Sequence, residues 1–474
     1  MKTLSLHTDL YEINMAYAYF KDGMHQKKAV FEIYFRDNPF ENGYAVFAGL
    51  ERVVEYLHNF KFDEADIAYL TTLEYEQDFL DYLRQVRFTG NIKSCLEGEI
   101  CFANEPLLIV EAALIEAQLV ETALLNIVNF HTLIATKASR IKHLVPQATL
   151  LEFGARRAQE MDAALWGARA AYISGFQATS LVEAGRRFNI PIAGTHAHSF
   201  VQVYQNEELA FRKYAQYHKE CTFLVDTYDT LESGIPAAIK VAQDFDPAKN
   251  VFSAIRIDSG DLAYQSKEAR KMLDAAGFTA TKIAVSNDLD EDTIASLILE
   301  QAPIDIYGIG TKLITAYNQP ALGGVYKLVA IEENGKLEPV IKISANTYKI
   351  TNPSLKNVYR IISKKTDKAE GDYLACYDET IDTAKPLKMF NETTPLEYKE
   401  FTDYYVQNIH HDIYHNGVLI YDLPDIEAIR SYHNKALALL WDEHKRYKFP
   451  AKYYVNFSEK LFNIKHNLIK KYQR

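Results

Sequence analysis

TLLEF (149–153), AYISGF (171–176), IPIAGT (190–195), CTFLVD (221–226), VFSAIRID (251–258), KIAVSND (282–288) and IDIYGIG (304–310) are seven short apolar runs. Each is followed by a polar stop and then by a segment of helical spacing. Short β-runs alternating with helices predict parallel strands joined by right-handed crossovers. Repeated between Thr149 and Val329, the pattern predicts an α/β fold built on an irregular β/α barrel. Most runs stop on residues that can do chemistry or bind anions: Phe153-Gly154-Ala155-Arg156, Thr195 to His198, Asp226, Arg256 to Asp261, Ser286 to Asp288, and Gly308 to Thr311. They fall at the C-terminal strand ends, the face on which such barrels carry their sites.

Outward from this core the chain reads as a second, non-contiguous α+β domain. Residues 1–130 are mixed: KAVFEIYFR (28–36) alternates like a strand and VFAGLERVVEYLHNF (46–60) has helical spacing. A long helical stretch from Leu114 to His143 leads into the barrel, taken as 131–337. The segment 338–474 has shorter strands, an irregular stretch from Asp378 to Gly417, and closing helices near 424–445 and 457–472.

With 474 residues, 48% of them hydrophobic, the chain can bury a large core. Its net charge of −11 argues against a general nucleic-acid surface. An anionic ligand must therefore be met by a few local cations and helix N-termini. The four cysteines form no CxxC pair and read as free thiols of a reducing compartment. MKTLSLHTDLYEINM lacks the apolar centre of a signal peptide, and no run approaches a membrane span, so a cytoplasmic location is expected.

IRIDSGD (255–261) carries the most chemistry. Residues two apart on a strand share a face, so Arg256 and Asp258 aim together at one cavity, either to meet a ligand or merely to pair and close the barrel end. GTHAHSF (194–200) sets His196 and His198 just past a strand, where an imidazole can act as base, ligand or nucleophile, or simply hydrogen-bond at a helix start. A metal centre there lacks a third nearby His or Cys. Asp226 ends the next strand and can orient an imidazole. YGIGTKL (307–313) is a glycine-rich turn into a helix, suited to phosphate or to a plain tight turn. EFGARR (152–157) places Phe153, Arg156 and Arg157 at a strand end, a ring for stacking and cations for an anion. In TDLYEINM (8–15), Thr8 or Asp9 reads as a helix cap next to Tyr11. No GxSxG elbow is present, which argues against acyl transfer.

TDLYEINM, FRDNPF, EFGARR, GFQATS, GTHAHSF, RIDSGDL and GIGTKL occur in the order shown by the nicotinate phosphoribosyltransferase family, and the chain resembles that family from residue 8 to about 330. The resemblance implies a type II phosphoribosyltransferase-like barrel. It implies that nicotinate attacks C1 of 5-phosphoribosyl 1-pyrophosphate, giving nicotinate mononucleotide and pyrophosphate, with Mg2+ as cofactor. ATP hydrolysis is coupled through a phosphohistidine, which matches His198, with Asp226 and Asp258 as the acidic residues around it. Tyr11 and Phe153 match the rings that sandwich the pyridine, the tyrosine often donated by a partner subunit of a homodimer with shared sites. Arg156, Thr195 and Arg256 match contacts to nicotinate, and Gly310 and Thr311 match the grip on the phosphoribosyl phosphate. Related nicotinamide enzymes carry an aspartate where Ser180 stands here; a serine can donate to a carboxylate that an ionised aspartate would repel. The alternatives are a transferase for nicotinamide or quinolinate and a non-catalytic pyridine-nucleotide sensor. An aldolase-type barrel would need a strand-borne lysine, and Lys282 opens its strand at the wrong end.

Overall fold

The computed structural model describes residues 4–346, 349–391 and 397–472. The chain divides into two compact units, Lys137–Pro320 and the residues up to Thr136 together with those from Ala321 onward.

The Lys137–Pro320 unit holds a six-stranded sheet in the order Ala178–Thr179, Thr149–Glu152, Ile306–Ile309, Lys282–Val285, Val251–Ile257, Glu220–Leu224. Every neighbouring pair is parallel. Helices follow the strands, among them Ile235–Gln243, Leu262–Ala275 and Glu291–Leu299. The core of this sheet is apolar: Phe252, Ala254, Ile255, Ile257, Ile283 and Ile309 are all buried. Burial of such runs on both faces is what a parallel sheet demands.

Two of the seven apolar runs differ from expectation. AYISGF does not form a strand. Its first residues end the helix Met161–Ile173, whose alanine-rich sequence favours helix. Gly175, at φ +110°, then stops it, with Phe176 N–H donating to the Ala171 carbonyl at 3.2 Å. The strand comes later, as Ala178–Thr179. IPIAGT makes only a bridge, Ile192 to Thr179. Pro191 has no N–H to give a ladder. On the far side of this run, the Thr195 hydroxyl donates to the Thr222 carbonyl, and Leu224 N–H donates to His196 Nε2 at 3.3 Å. Side chains thus span the seam between the two edge strands, so the sheet curls as an irregular barrel.

In the other unit, a seven-stranded antiparallel sheet runs Lys336–Pro339, Val325–Glu333, Lys28–Tyr34, Leu108–Ala113, Asn91–Ser94, His411–His415, Val418–Leu419. Val325–Glu333 pairs along the length of Lys28–Tyr34. For that reason the boundary expected at 337 falls at Pro320 instead. A second, six-stranded sheet includes Leu387–Phe390, Tyr398–Phe401 and Tyr404–Asn408, inside the stretch expected to be irregular. These strands are short, and LKMF and YKEF show too little alternation to read as strands. The long helical stretch is two helices, Leu114–Leu119 and Glu121–Leu144. Among the described residues no helix is long and apolar enough to cross a membrane, and the four cysteines are free and buried.

Candidate active site

The strand Val251–Ile257 delivers Arg256 and, one residue past its end, Asp258. Arg256 Nη2 donates to Asp258 Oδ1 at 2.9 Å and Nε donates to Ser286 Oγ at 2.9 Å. Ser286 in turn donates to the same Asp258 Oδ1. Gly260, at φ +78°, makes the turn that follows; a Cβ there would lie 2.5 Å from Gln265 Nε2. Asp261 then caps the helix Leu262–Ala275 through Tyr264 N–H.

Asp226 stands beside this group. Its Oδ2 accepts from Asp258 N–H at 2.9 Å and from the Ser259 hydroxyl at 2.6 Å. Its Oδ1 is buried without a hydrogen-bond partner among the described residues. His198 faces both carboxylates: Nε2 lies 3.9 Å from Asp226 Oδ1 and 3.9 Å from Asp258 Oδ2, beyond hydrogen-bond reach of either. Its Nδ1 sits 3.2 Å from Thr227 Oγ1. Its side chain is 39% exposed.

The two histidines of GTHAHSF have different chemistry. His196 is buried among Phe200, Phe211 and Tyr214, with ring centroids 5.1–5.8 Å away. Nε2 accepts from Leu224 N–H and so carries no proton. Burial above all pulls its pKa down to about 4, so the ring is neutral near pH 7. His196 is a strut of the barrel seam, and His198 is the imidazole left open to solvent.

Phe153 follows the strand Thr149–Glu152, with the Arg256 guanidinium 5.4 Å from its ring centroid. The ring occupies space left by Gly308, where a Cβ would lie 2.6 Å from Cδ2 and Cε2. Gly310 packs on the Phe153 backbone, where a Cβ would lie 3.0 Å from its carbonyl oxygen. Thr311 opens the one-turn helix Thr311–Ile314. Buried Glu152 accepts from the Thr179 hydroxyl at 2.6 Å and from Gly154 N–H, bracing the turn before Arg156 against the turn that carries Ser180. Burial raises its carboxyl pKa, and those two hydrogen bonds oppose the shift.

His198, Asp226, Asp258, Arg256 and Phe153 thus form one connected cluster. Arg156 and Ser180 are exposed on the turns beside it. The Thr195 hydroxyl is engaged by the Thr222 carbonyl. Tyr11 belongs to the other unit, on the helix Leu10–Lys21, and is 46% exposed. Its hydroxyl bonds Glu121, and partial burial with the carboxylates of Glu121 and Glu12 raises its pKa. Asp9 stands at the cap position of that helix but does not cap it, accepting instead from the Thr122 hydroxyl at 3.0 Å. Ser286, Ser259, Thr227 and Glu152 were not singled out as site residues from sequence. Ser286 showed only as a polar strand stop, and Thr227 carried no signal.

Comparison with known proteins bears on the family and the fold. Family models for the nicotinate phosphoribosyltransferase N-terminal domain, family and C-terminal domain match residues 6–129, 148–385 and 355–465. The chain is 58% identical to the nicotinate phosphoribosyltransferase of Bacillus subtilis over 98% of this chain and 94% of that one. It is 30% identical to the human protein of the same name, over 96% and 95%. The crystal structure of human nicotinic acid phosphoribosyltransferase superposes with a TM-score of 0.85 at 29% identity, covering 98% of this chain and 99% of that one.

Proposed function

The chain belongs to the nicotinate phosphoribosyltransferase family, and we propose that it makes nicotinate mononucleotide and pyrophosphate from nicotinate and 5-phosphoribosyl 1-pyrophosphate. The reaction is coupled to ATP hydrolysis through His198 and is the first step of NAD salvage from nicotinate. The observation that carries this reading is the Arg256–Asp258–Asp226–His198 cluster, with the Phe153 ring against its arginine.

Each residue has a task that its position supports. The Phe153 ring stacks on the pyridine and holds its nitrogen in line with C1, while Tyr11, donated by the partner of a homodimer, closes the other face. Arg256 meets the nicotinate carboxylate as a fixed fork, with Arg156, Ser180 and the Thr195 backbone around it. Gly310 and Thr311 hold the phosphoribosyl phosphate on backbone N–H groups. As the pyridine nitrogen bonds to C1, the bond from C1 to the pyrophosphate oxygen breaks.

His198 Nε2 takes the γ-phosphoryl group of ATP, forming an N–P bond as ADP leaves; Asp226 and Asp258 hold the ring's charge during the transfer. Phosphorylation places roughly one and a half to two negative charges beside the site, tightening the grip on the substrate complex until water cleaves the N–P bond. The residues fit a magnesium ion. Asp226 Oδ1 is buried and unpartnered among the described residues, and Asp258 Oδ2 is turned to the same imidazole. Mg2+ commonly takes one or two carboxylates and fills its shell with water and substrate phosphates. Among the described residues there is no group of three His, Cys, Asp or Glu side chains to hold it alone. When bound it neutralises charge on the leaving pyrophosphate.

The test is product formation from nicotinate, phosphoribosyl pyrophosphate and Mg2+, with and without ATP, with nicotinamide in parallel. Nicotinate mononucleotide formed faster with ATP, as ADP appears, is the expected result. Product from nicotinamide alone would overturn the substrate assignment.

A further inference from the structure

We infer that Ser286 is a positioning residue for this reaction: its hydroxyl fixes the direction of the Arg256 guanidinium and decides which Asp258 oxygen faces His198. The inference rests on the reading of Arg256 as the carboxylate anchor. Ser286 follows the strand Lys282–Val285 and is 3% exposed. Its backbone N–H donates to the Ile257 carbonyl at 3.1 Å, which pins the residue to the strand that carries Arg256.

The hydroxyl bridges the two groups, its only proton given to one of them. It accepts from Arg256 Nε and donates to Asp258 Oδ1. Arg256 Nη2 donates to that same oxygen, which closes a triangle. Two consequences follow from this geometry. An arginine has five N–H donors in a rigid fork; with Nε and one Nη2 hydrogen engaged, the remaining donors are the ones left for a ligand carboxylate, and the fork cannot rotate to offer Nε instead. With Oδ1 held by two donors, Oδ2 is the oxygen turned to His198, 3.9 Å away. Without the hydroxyl the Arg256–Asp258 pair would survive, because the two lie two residues apart where one strand ends. What would be lost is its orientation.

The experiment is a double-mutant cycle of Ser286→Ala and Arg256→Ala, reading the KM for nicotinate and for phosphoribosyl pyrophosphate separately. Ser286→Ala is expected to raise the nicotinate KM about tenfold, the scale of one misdirected charge-assisted hydrogen bond. The phosphoribosyl pyrophosphate KM should stay within about twofold, and the rise should vanish in the Arg256→Ala background. The same factor in both backgrounds would mean that Ser286 acts independently of Arg256, overturning the inference. A wild-type nicotinate KM in Ser286→Ala, with a raised one in Arg256→Ala, would overturn the inference alone. An unchanged nicotinate KM in Arg256→Ala would remove the anchor reading and the inference with it.

Discussion

Gly308→Ala tests the aromatic slot at its tightest point. The added Cβ would lie 2.6 Å from Phe153 Cδ2 and Cε2 and 3.4 Å from Ser286 Cβ. Carbon pairs rest at about 3.5–4.0 Å, so the ring must retreat by about 1 Å. The Phe153 backbone cannot follow, since its N–H donates to the Ile309 carbonyl at 2.8 Å and its carbonyl lies against Gly310. The side chain therefore rotates, away from its place 5.4 Å from the Arg256 guanidinium. Overpacking of this kind costs about 1–3 kcal/mol of stability. For a domain of this size each kcal/mol lowers Tm by about 2–4 °C, and the fold should survive. A well-placed aromatic stack contributes about 0.5–1.5 kcal/mol, which sets the expected rise in nicotinate KM between about twofold and about tenfold. The phosphoribosyl pyrophosphate KM should stay within about twofold. The assay is steady-state nicotinate mononucleotide formation, varying each substrate in turn, with thermal unfolding alongside. A folded Gly308→Ala protein whose nicotinate KM stays within about twofold of wild type would refute the idea that this ring holds the pyridine.

Two further predictions concern charge. Ser180→Asp places an ionised carboxylate beside the nicotinate carboxylate, and should raise the nicotinate KM about tenfold or more while improving turnover of nicotinamide; competition between the two substrates measures it, and an unchanged preference sinks it. His196 has a folded-state pKa of about 4 against an ordinary 6.5, so between those values the unfolded chain binds a proton that the folded chain refuses. Stability is therefore lost as pH falls through that window, by about 2 kcal/mol at pH 5 from this group. Urea unfolding at pH 7 and pH 5 should show that difference shrink in His196→Phe; an undiminished pH dependence would mean that His196 takes up its proton as readily in the folded chain as in the unfolded one.

The barrel was legible because its strands are short, apolar and punctuated. Chemistry clustered at their ends because loops there are free to carry it. Reading failed where two structures compete for similar residues: AYISGF is apolar enough for a strand, but it continues an alanine-rich helix until Gly175 stops it. It failed again at 378–417, where charged, half-exposed strands have no alternation to display. The pairing of Arg256 with Asp258 followed from strand periodicity alone. The Ser286 link did not, because it joins residues about thirty apart, and only the parallel register of two strands brings them together. The difference between His196 and His198 was also hidden. Two histidines two apart in a loop look alike until burial separates them. The specific roles of Tyr11, Gly310 and Thr311 came from family resemblance, since a tyrosine near a helix start and a glycine-rich turn have common structural uses.

The central claim is that ATP acts through His198. The most direct measurement is incubation of the enzyme with γ-phosphate-labelled ATP and Mg2+, alkaline quench, and location of the label by mass spectrometry, repeated with His198→Ala. The account predicts an acid-labile, alkali-stable phosphate on His198, discharged as inorganic phosphate when nicotinate and phosphoribosyl pyrophosphate are added, and absent from His198→Ala, which loses its stimulation by ATP. A folded His198→Ala enzyme that kept its full ATP-stimulated turnover would contradict it.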